Sequence, residues 1–421
     1  MTSSNEIAQS STVDPQRPRP RRRLLTYLLV GAAFLTAAGA LAARHPPTSA
    51  RAGLVSSPAY QQAPLTQPAT NPAPAQRPRV EMVFALDTTG SMSGLIEGAK
   101  RKIWSLASFV AQGTPTPDLR VGLVGYRDRG DEYVTRRFDL DGDLDRVFKN
   151  LQSLVAGGGG DTPEHVSRAL WESVHKMGWT SDPAVVKVIY LVGDAPPHTD
   201  YHDGFDYHKA ASDATLLGIE VHTVRCGNDT ATENVWRAIA QLGHGQYSSV
   251  EQSGGMREES TPYDAELAKL HDELASTALA YGAHRAEVAL AQAAAATAPP
   301  SIKAARVAFV HSKGKAISGE GDLLDDLRNN SVKLNQLAPE AMPAELKGLS
   351  PAEQAALVES KTNQRNALDK RIEELTRLRN KSIEEQERRA EASGEADGFD
   401  QIAKKSLRTT AARNAKSGVK F

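Results

Sequence analysis

The chain has 421 residues with 50 Lys plus Arg against 51 Asp plus Glu, a formal net charge of −1, and is 40% hydrophobic and 24% charged. That length and balance predict two or three folded units with a sizeable core, and exclude global disorder and a chain-wide basic footprint for nucleic acid. The single cysteine, Cys226, excludes an intramolecular disulfide and any multi-cysteine zinc or iron–sulfur site, and reads as a small core residue at a strand end.

Charge is unevenly placed along the chain. Residues 1–23 hold Arg17, Arg19, Arg21, Arg22 and Arg23 against Glu6 and Asp14, a surplus of +3 that leaves −4 for the remainder. Leu24–Ala43 follows without a charge. A bilayer core needs about 20 helical residues, so this run predicts one transmembrane helix with the arginine-rich tail on the cytoplasmic side. The length favours an uncleaved signal anchor; Ala40-Leu41-Ala42 leaves cleavage open as the alternative. Either way residues beyond 43 are expected outside the cytoplasm. Residues 44–79 carry four Arg, no acid and eight Pro, and predict an extended linker.

From residue 80 to 255 strand and helix signals alternate. Val80–Leu86 is a short apolar run of the kind a buried parallel strand shows. Ser93–Gln112 places Ile96, Ala99, Ile103, Leu106 and Val110 at helical spacing. Strands are predicted at Leu119–Tyr126, Tyr133–Phe138, Val185–Val192, Ile219–Arg225 and Gln246–Val250. Helices are predicted at Leu144–Leu154, Glu164–Lys176, Tyr207–Leu217 and Glu233–Leu242. The expected fold is α/β, a doubly wound and mostly parallel sheet followed by an α-helical C-terminal region, with the transmembrane helix ahead of it. Ligands in such sheets sit beyond the carboxyl ends of the strands.

Polar residues gather at those ends. Asp87-Thr88-Thr89-Gly90-Ser91-Met92-Ser93 follows the first strand, and Asp194 follows the central one in Gly193-Asp194-Ala195-Pro196-Pro197-His198. Between them lies Gly157-Gly158-Gly159-Gly160-Asp161-Thr162-Pro163-Glu164. Carboxylates and hydroxyls of this kind are hard oxygen donors suited to Mg²⁺ or Mn²⁺. The alternative for Ser91 and Thr162 is that both cap helices.

Asp87-x-Thr89-x-Ser91, a threonine after a Gly-rich loop and an aspartate after a central strand resemble the metal-ion-dependent adhesion site of von Willebrand factor type A domains. The family's usual middle residue is Ser, and Thr89 keeps the hydroxyl. Tyr126-Arg127-Asp128-Arg129 and the Gly193–His198 segment further resemble a bacterial, membrane-anchored subgroup. The resemblance covers about residues 80–255. It implies Asp87, Thr89, Ser91, Thr162 and Asp194 as metal ligands or ligand-orienting groups. It also implies a protein partner whose acidic side chain completes the octahedron of the ion, in adhesion or assembly rather than catalysis.

Other motifs compete. Gly90-Ser91-Met92-Ser93-Gly94 loosely resembles a G-x-S-x-G nucleophile elbow, with Met92 rather than Ser at its centre; this alternative would make Ser93 the nucleophile of a serine hydrolase with Asp194 and His198. The glycine run lacks the following Gly-Lys-Ser/Thr of a phosphate-binding loop, and Asp139–Asp145 lacks the Gly of a calcium loop. His198, Asp200, His202, Asp203, Asp206 and His208 read as a polar rim, with zinc as the sharper alternative. Residues 256–283 predict a helical extension that either packs back on the sheet or leads away. Residues 284–421 predict a small helical bundle, with a capping box at Ser350-Pro351-Ala352-Glu353 and a stripe of Leu368, Ile372, Leu375 and Leu378. An envelope scaffold acting through this region is the second functional reading.

Overall fold

The computed structural model describes residues 77–160, 162–395 and 397–421. The basic tail, the span at 24–43 and all but the last residues of the linker lie outside them; among the described residues no helix is long and apolar enough to cross a membrane.

The sheet domain runs β1 (Arg79–Asp87), a 3₁₀ turn (Gly90–Met92), α1 (Ser93–Ala111), β2 (Asp118–Tyr126), β3 (Thr135–Asp141), α2 (Leu144–Gln152) and α3 (Val166–His175). It continues with β4 (Val186–Gly193), α4 (Tyr207–Leu216), β5 (Glu220–Cys226), α5 (Thr230–Leu242) and β6 (His244–Val250). The strand order is β3-β2-β1-β4-β5-β6, and only β3 runs antiparallel, to β2. Period-two alternation assigns the two faces of β1. Val80, Met82, Phe84 and Leu86 pack with α1, while Val83 and Ala85 pack with α3, α4 and α5. Every residue of β4 is buried, which is why it reads as an apolar run broken only by Lys187. Because β1 and β4 are parallel neighbours, both strands end at the same edge of the sheet, with Asp87 and Asp194 there.

The helical residues beyond the sheet comprise α6 (Asp264–Ser276), α7 (Arg285–Ala296), α8 (Pro300–Ser312), α9 (Leu323–Arg328), α10 (Pro351–Ala392) and α11 (Phe399–Arg413). All but α9 join the α1 side of the sheet in one hydrophobic core, while Leu323 and Leu324 of α9 pack with Leu279, Met342 and Leu346 in a second, smaller cluster. Helix α8 lies against α1 and α6, and α11 reaches β4, β5 and β6. Phe399 meets Phe84 edge to face with ring centroids 6.0 Å apart, and the Tyr190 hydroxyl donates to the Ala403 carbonyl at 2.9 Å. A helix more than 140 residues beyond β6 in sequence thus roofs the central strands.

The capping box at Ser350 is present, with the Glu353 carboxylate accepting from the Ser350 amide at 2.8 Å. The helix it starts, α10, continues for 42 residues but buries only Arg365, Ile372, Leu375, Arg379 and Ile383. That narrow seam includes two arginines because each has a buried acid opposite. Arg365 meets Asp322 and Asp325, both at 2.8 Å, and Arg379 meets Asp264 at 2.8 Å. Replacing one partner of a buried pair leaves the other charge uncompensated. Arg365→Met is therefore expected to lower unfolding free energy by about 3–5 kcal/mol, read from denaturant midpoints. A loss under about 1 kcal/mol, in the range of an exposed pair, would contradict this.

Candidate metal centre

Asp87 is the last residue of β1 and is fully buried. The chain turns back over it at once. The Thr89 amide and hydroxyl both donate to Asp87 Oδ1, at 2.9 and 2.7 Å. The Thr88 amide donates to the Tyr126 carbonyl at 2.8 Å, holding the turn to β2. The 3₁₀ turn then brings Ser91 Oγ to 3.3 Å from Thr89 Oγ1. Asp87 Oδ2 is left buried with no hydrogen-bond partner. Asp194 follows β4, and its Oδ2 accepts from Gln252 Nε2 at 2.6 Å. Gly193 makes room for this arrangement. A Cβ there would lie 2.3 Å from Tyr126 Oη and 3.2 Å from Asp87 Oδ2.

The glycine loop lies over the same point. The Gly157 amide donates to the Thr88 carbonyl at 3.0 Å, and the Gly90 amide to the Gly158 carbonyl at 3.3 Å. Gly158 and Gly159 have φ of 75° and 84°, in the left-handed region that glycine enters without a steric penalty. A Cβ on Gly159 would approach the Thr89 Cβ to 3.3 Å. Buried Arg127 ties the layers together, donating to the Thr88 carbonyl at 3.0 Å and the Val155 carbonyl at 2.8 Å.

Of the five residues expected at the site, Asp87, Thr89 and Ser91 form one hydrogen-bonded group, and Asp194 lies close enough for its charge to act on Asp87. Thr162 stands exposed on the glycine loop, with no hydrogen bond to the other four. Neither hydroxyl caps a helix. Residue Met92 occupies the cap position of α1 and His165 that of α3, and neither helix has a side-chain cap bond.

Glu164 is a site residue that the sequence reading missed. The sequence predicts a helix over Glu164–Lys176 and gives Glu164 itself no role at the site. Helix α3 begins at Val166 instead, and Glu164 is 3% exposed with Oε2 buried and unpartnered. Its backbone is stitched to the loop after β4, the Glu164 amide donating to Pro196 and its carbonyl accepting from the His198 amide, both at 3.0 Å. Asp128 is also buried, with Oδ1 unpartnered and Oδ2 accepting from the Tyr201 hydroxyl. Gln252 was likewise not anticipated, since nothing in its local pattern marks it.

This concentration of buried acid shifts the carboxyl groups upward. Burial, then the charge of Asp194, pushes Asp87 to about 7. Burial, then the charges of Asp87 and Asp128, pushes Glu164 to about 9. A carboxyl raised in the folded state favours folding when protonated, and that contribution is lost as pH rises through the folded value. Between about pH 5 and 9, chelated protein is therefore expected to lose thermal stability from these two groups, with excess Mg²⁺ reducing the loss. Thermal melts in EDTA and in Mg²⁺ check this; parallel pH profiles would contradict it.

The remaining polar motifs resolve locally. His198 Nδ1 is 2.9 Å from Asp200 Oδ1, and Asp203 Oδ2 meets His165 Nε2 at 2.9 Å. Asp206 caps α4, accepting from the His208 amide at 2.8 Å. Ser93 is the exposed first residue of α1, while the His198 nitrogens face Asp200 and Asp128. Among the described residues no three His, Cys, Asp or Glu side chains are arranged to enclose a metal ion by themselves. The donors around Asp87 nonetheless suit Mg²⁺ or Mn²⁺: an orphaned buried carboxylate oxygen, two hydroxyls and a second carboxylate, with water to complete the sphere.

The molecule thus contains an open α/β domain with acids and hydroxyls gathered beyond the carboxyl ends of its central strands. The family model for the von Willebrand factor A domain matches residues 81–251, and these residues form such a domain. A curated relative, alpha-protein kinase vwkA of Dictyostelium discoideum, is 30% identical over 138 residues, covering 30% of this chain and 20% of that protein. The chain therefore spans about a fifth of that relative. Proximal thread matrix protein 1 from the mussel byssus is a similar solved structure, with 12% identity, a TM-score of 0.33 and 42% of each chain covered. The SpRpn10 VWA domain is another, with 12% identity and a TM-score of 0.32 over 42% of this chain and 89% of that one.

Proposed function

We propose that the domain binds a protein partner through a divalent cation, Mg²⁺ or Mn²⁺, held at Asp87, Thr89, Ser91 and Asp194, with Thr162 joining from the glycine loop. The domain type itself supports a role in protein interaction or adhesion. The observation that carries the metal reading is Asp87 Oδ2, fully buried beside Asp194 yet unpartnered. An orphaned buried carboxylate oxygen is costly without a counter-charge. Hydroxyls and water complete the ion's sphere on the protein side and keep one position open for an acidic side chain of the partner. The ion is a bridge for binding rather than a reagent, so the chain acts as no enzyme in this reading. A remainder carrying −4 outside residues 1–23 has little general attraction for an acidic partner, which makes the local cation the natural source of affinity.

The run Leu24–Ala43 and its arginine flank support membrane tethering, with the domain on the far side of the bilayer from residues 1–23. A protein released from membranes by alkaline carbonate instead of detergent would contradict the tether. For the binding reading, the full chain in detergent should capture its partner from an envelope extract in Mg²⁺, release it in EDTA and recapture it when Mg²⁺ is restored. Capture equal in EDTA would contradict it and favour a scaffold acting through residues 284–421.

A further inference from the structure

We infer that Glu164 is a positioning residue of the cation site, a third carboxylate that orders water around the ion from the glycine-loop side; this rests on the metal reading above. It stands on geometry. Glu164 Oε1 lies 3.9 Å from the place a Cβ on Gly159 would occupy, and that same point is 3.3 Å from the Thr89 Cβ. The carboxylate therefore faces the hydroxyl turn across one bare glycine. Its Oε2 is buried and has no partner, although the side chain is almost fully enclosed. The largest charges that act on it are those of Asp87, Asp128, Asp131 and Asp194, all acidic. A buried acid ringed by acids raises the free energy of the ion-free protein. A cation with its shell of water relieves that, because each ion-bound water offers protons to an unpaired oxygen.

The arrangement also explains why Glu164 is held by backbone. Its amide and carbonyl are both engaged by the Pro196–His198 segment that follows Asp194, which fixes the carboxylate relative to the metal aspartate. In this inference Glu164 works through water rather than as a direct ligand. Removal of an outer-sphere group of this kind typically weakens a metal site 10- to 100-fold.

The experiment is a Mn²⁺ titration of the full chain, followed by the electron paramagnetic resonance signal of free Mn²⁺, for the unaltered protein, Glu164→Gln, Glu164→Asp and Asp87→Ala, with thermal melts in EDTA. Glu164→Gln should weaken Mn²⁺ binding roughly 10-fold or more while its melting temperature in EDTA stays equal or rises, because the cost of burying one ionisable acid among several is gone. Glu164→Asp, which keeps the charge, should recover part of the affinity. A merely structural glutamate would lower the melting temperature in EDTA along with affinity, and that result overturns the inference. So does Mn²⁺ affinity unchanged within about twofold in Glu164→Gln when the unaltered protein binds and Asp87→Ala does not. If the unaltered protein binds no Mn²⁺, the metal reading itself has failed, and the inference falls with it.

Discussion

Asp87→Ala is expected to abolish cation-dependent capture and weaken Mn²⁺ binding by at least about 100-fold, while raising the melting temperature of the ion-free protein. The two effects share one cause. Asp87 is the fully buried group whose oxygen has no partner, and its carboxyl is held up at about 7 by burial and by Asp194. Removing it takes away both the main charge that attracts the ion and a charge that the empty site tolerates poorly. Melts in EDTA together with Mn²⁺ titration check this. A variant less stable in EDTA but equally able to bind the ion would mean that Asp87 serves the fold and not the site. Gly193→Ala probes the same point less drastically. Its Cβ would collide with Tyr126 Oη and crowd Asp87, so ion affinity should fall even though no ligand is changed.

Removal of residues 399–421 is expected to leave a protein that does not fold cooperatively. Helix α11 contributes buried Phe399, Ile402, Ala403, Leu407 and Ala411 to the core on the α1 face, and its loss uncovers Phe84 and Tyr190. The single substitution Phe399→Ala isolates part of this, with an expected cost of about 3–5 kcal/mol. A truncated protein that melts as sharply as the full chain would show that the sheet domain needs no roof from the C-terminal helices. The helical residues matter for the site as well. The Phe399 amide donates to the Gly254 carbonyl at 2.9 Å, two residues past Gln252, whose carboxamide holds Asp194.

Much of the sheet domain is legible in the sequence because its physics is local. Strands β1 and β4 are buried on both faces, so their runs are apolar but for Glu81 and Lys187, and the acid at or just beyond each strand end marks the sheet edge. Strand β3 is displaced from its expected place, Tyr133–Phe138, to Thr135–Asp141. Tyr133 belongs to the site instead, its hydroxyl 2.8 Å from Thr88 Oγ1 and its ring under Arg127. Apolar content alone does not separate a strand residue from an aromatic that braces a loop.

What the sequence conceals depends on contacts between distant segments. Arg365 and Arg379 look like solvated helix charges until Asp322, Asp325 and Asp264 are seen beside them. Helix α11 carries no mark of its position over β4. Glu164 has the ordinary look of a first-turn acid, and only the late start of α3 turns it inward. Thr162 shows the converse, a residue placed at the site by its motif yet exposed on the glycine loop.

The claim on which the rest depends is that a divalent cation occupies the end of β1. Titrating Mn²⁺ into the full chain, with Mg²⁺ as competitor, tests it most directly. One saturable site per chain, displaced by Mg²⁺ and lost in both Asp87→Ala and Asp194→Ala, is the expected result. Absence of saturable binding, or binding that survives both substitutions, would contradict it.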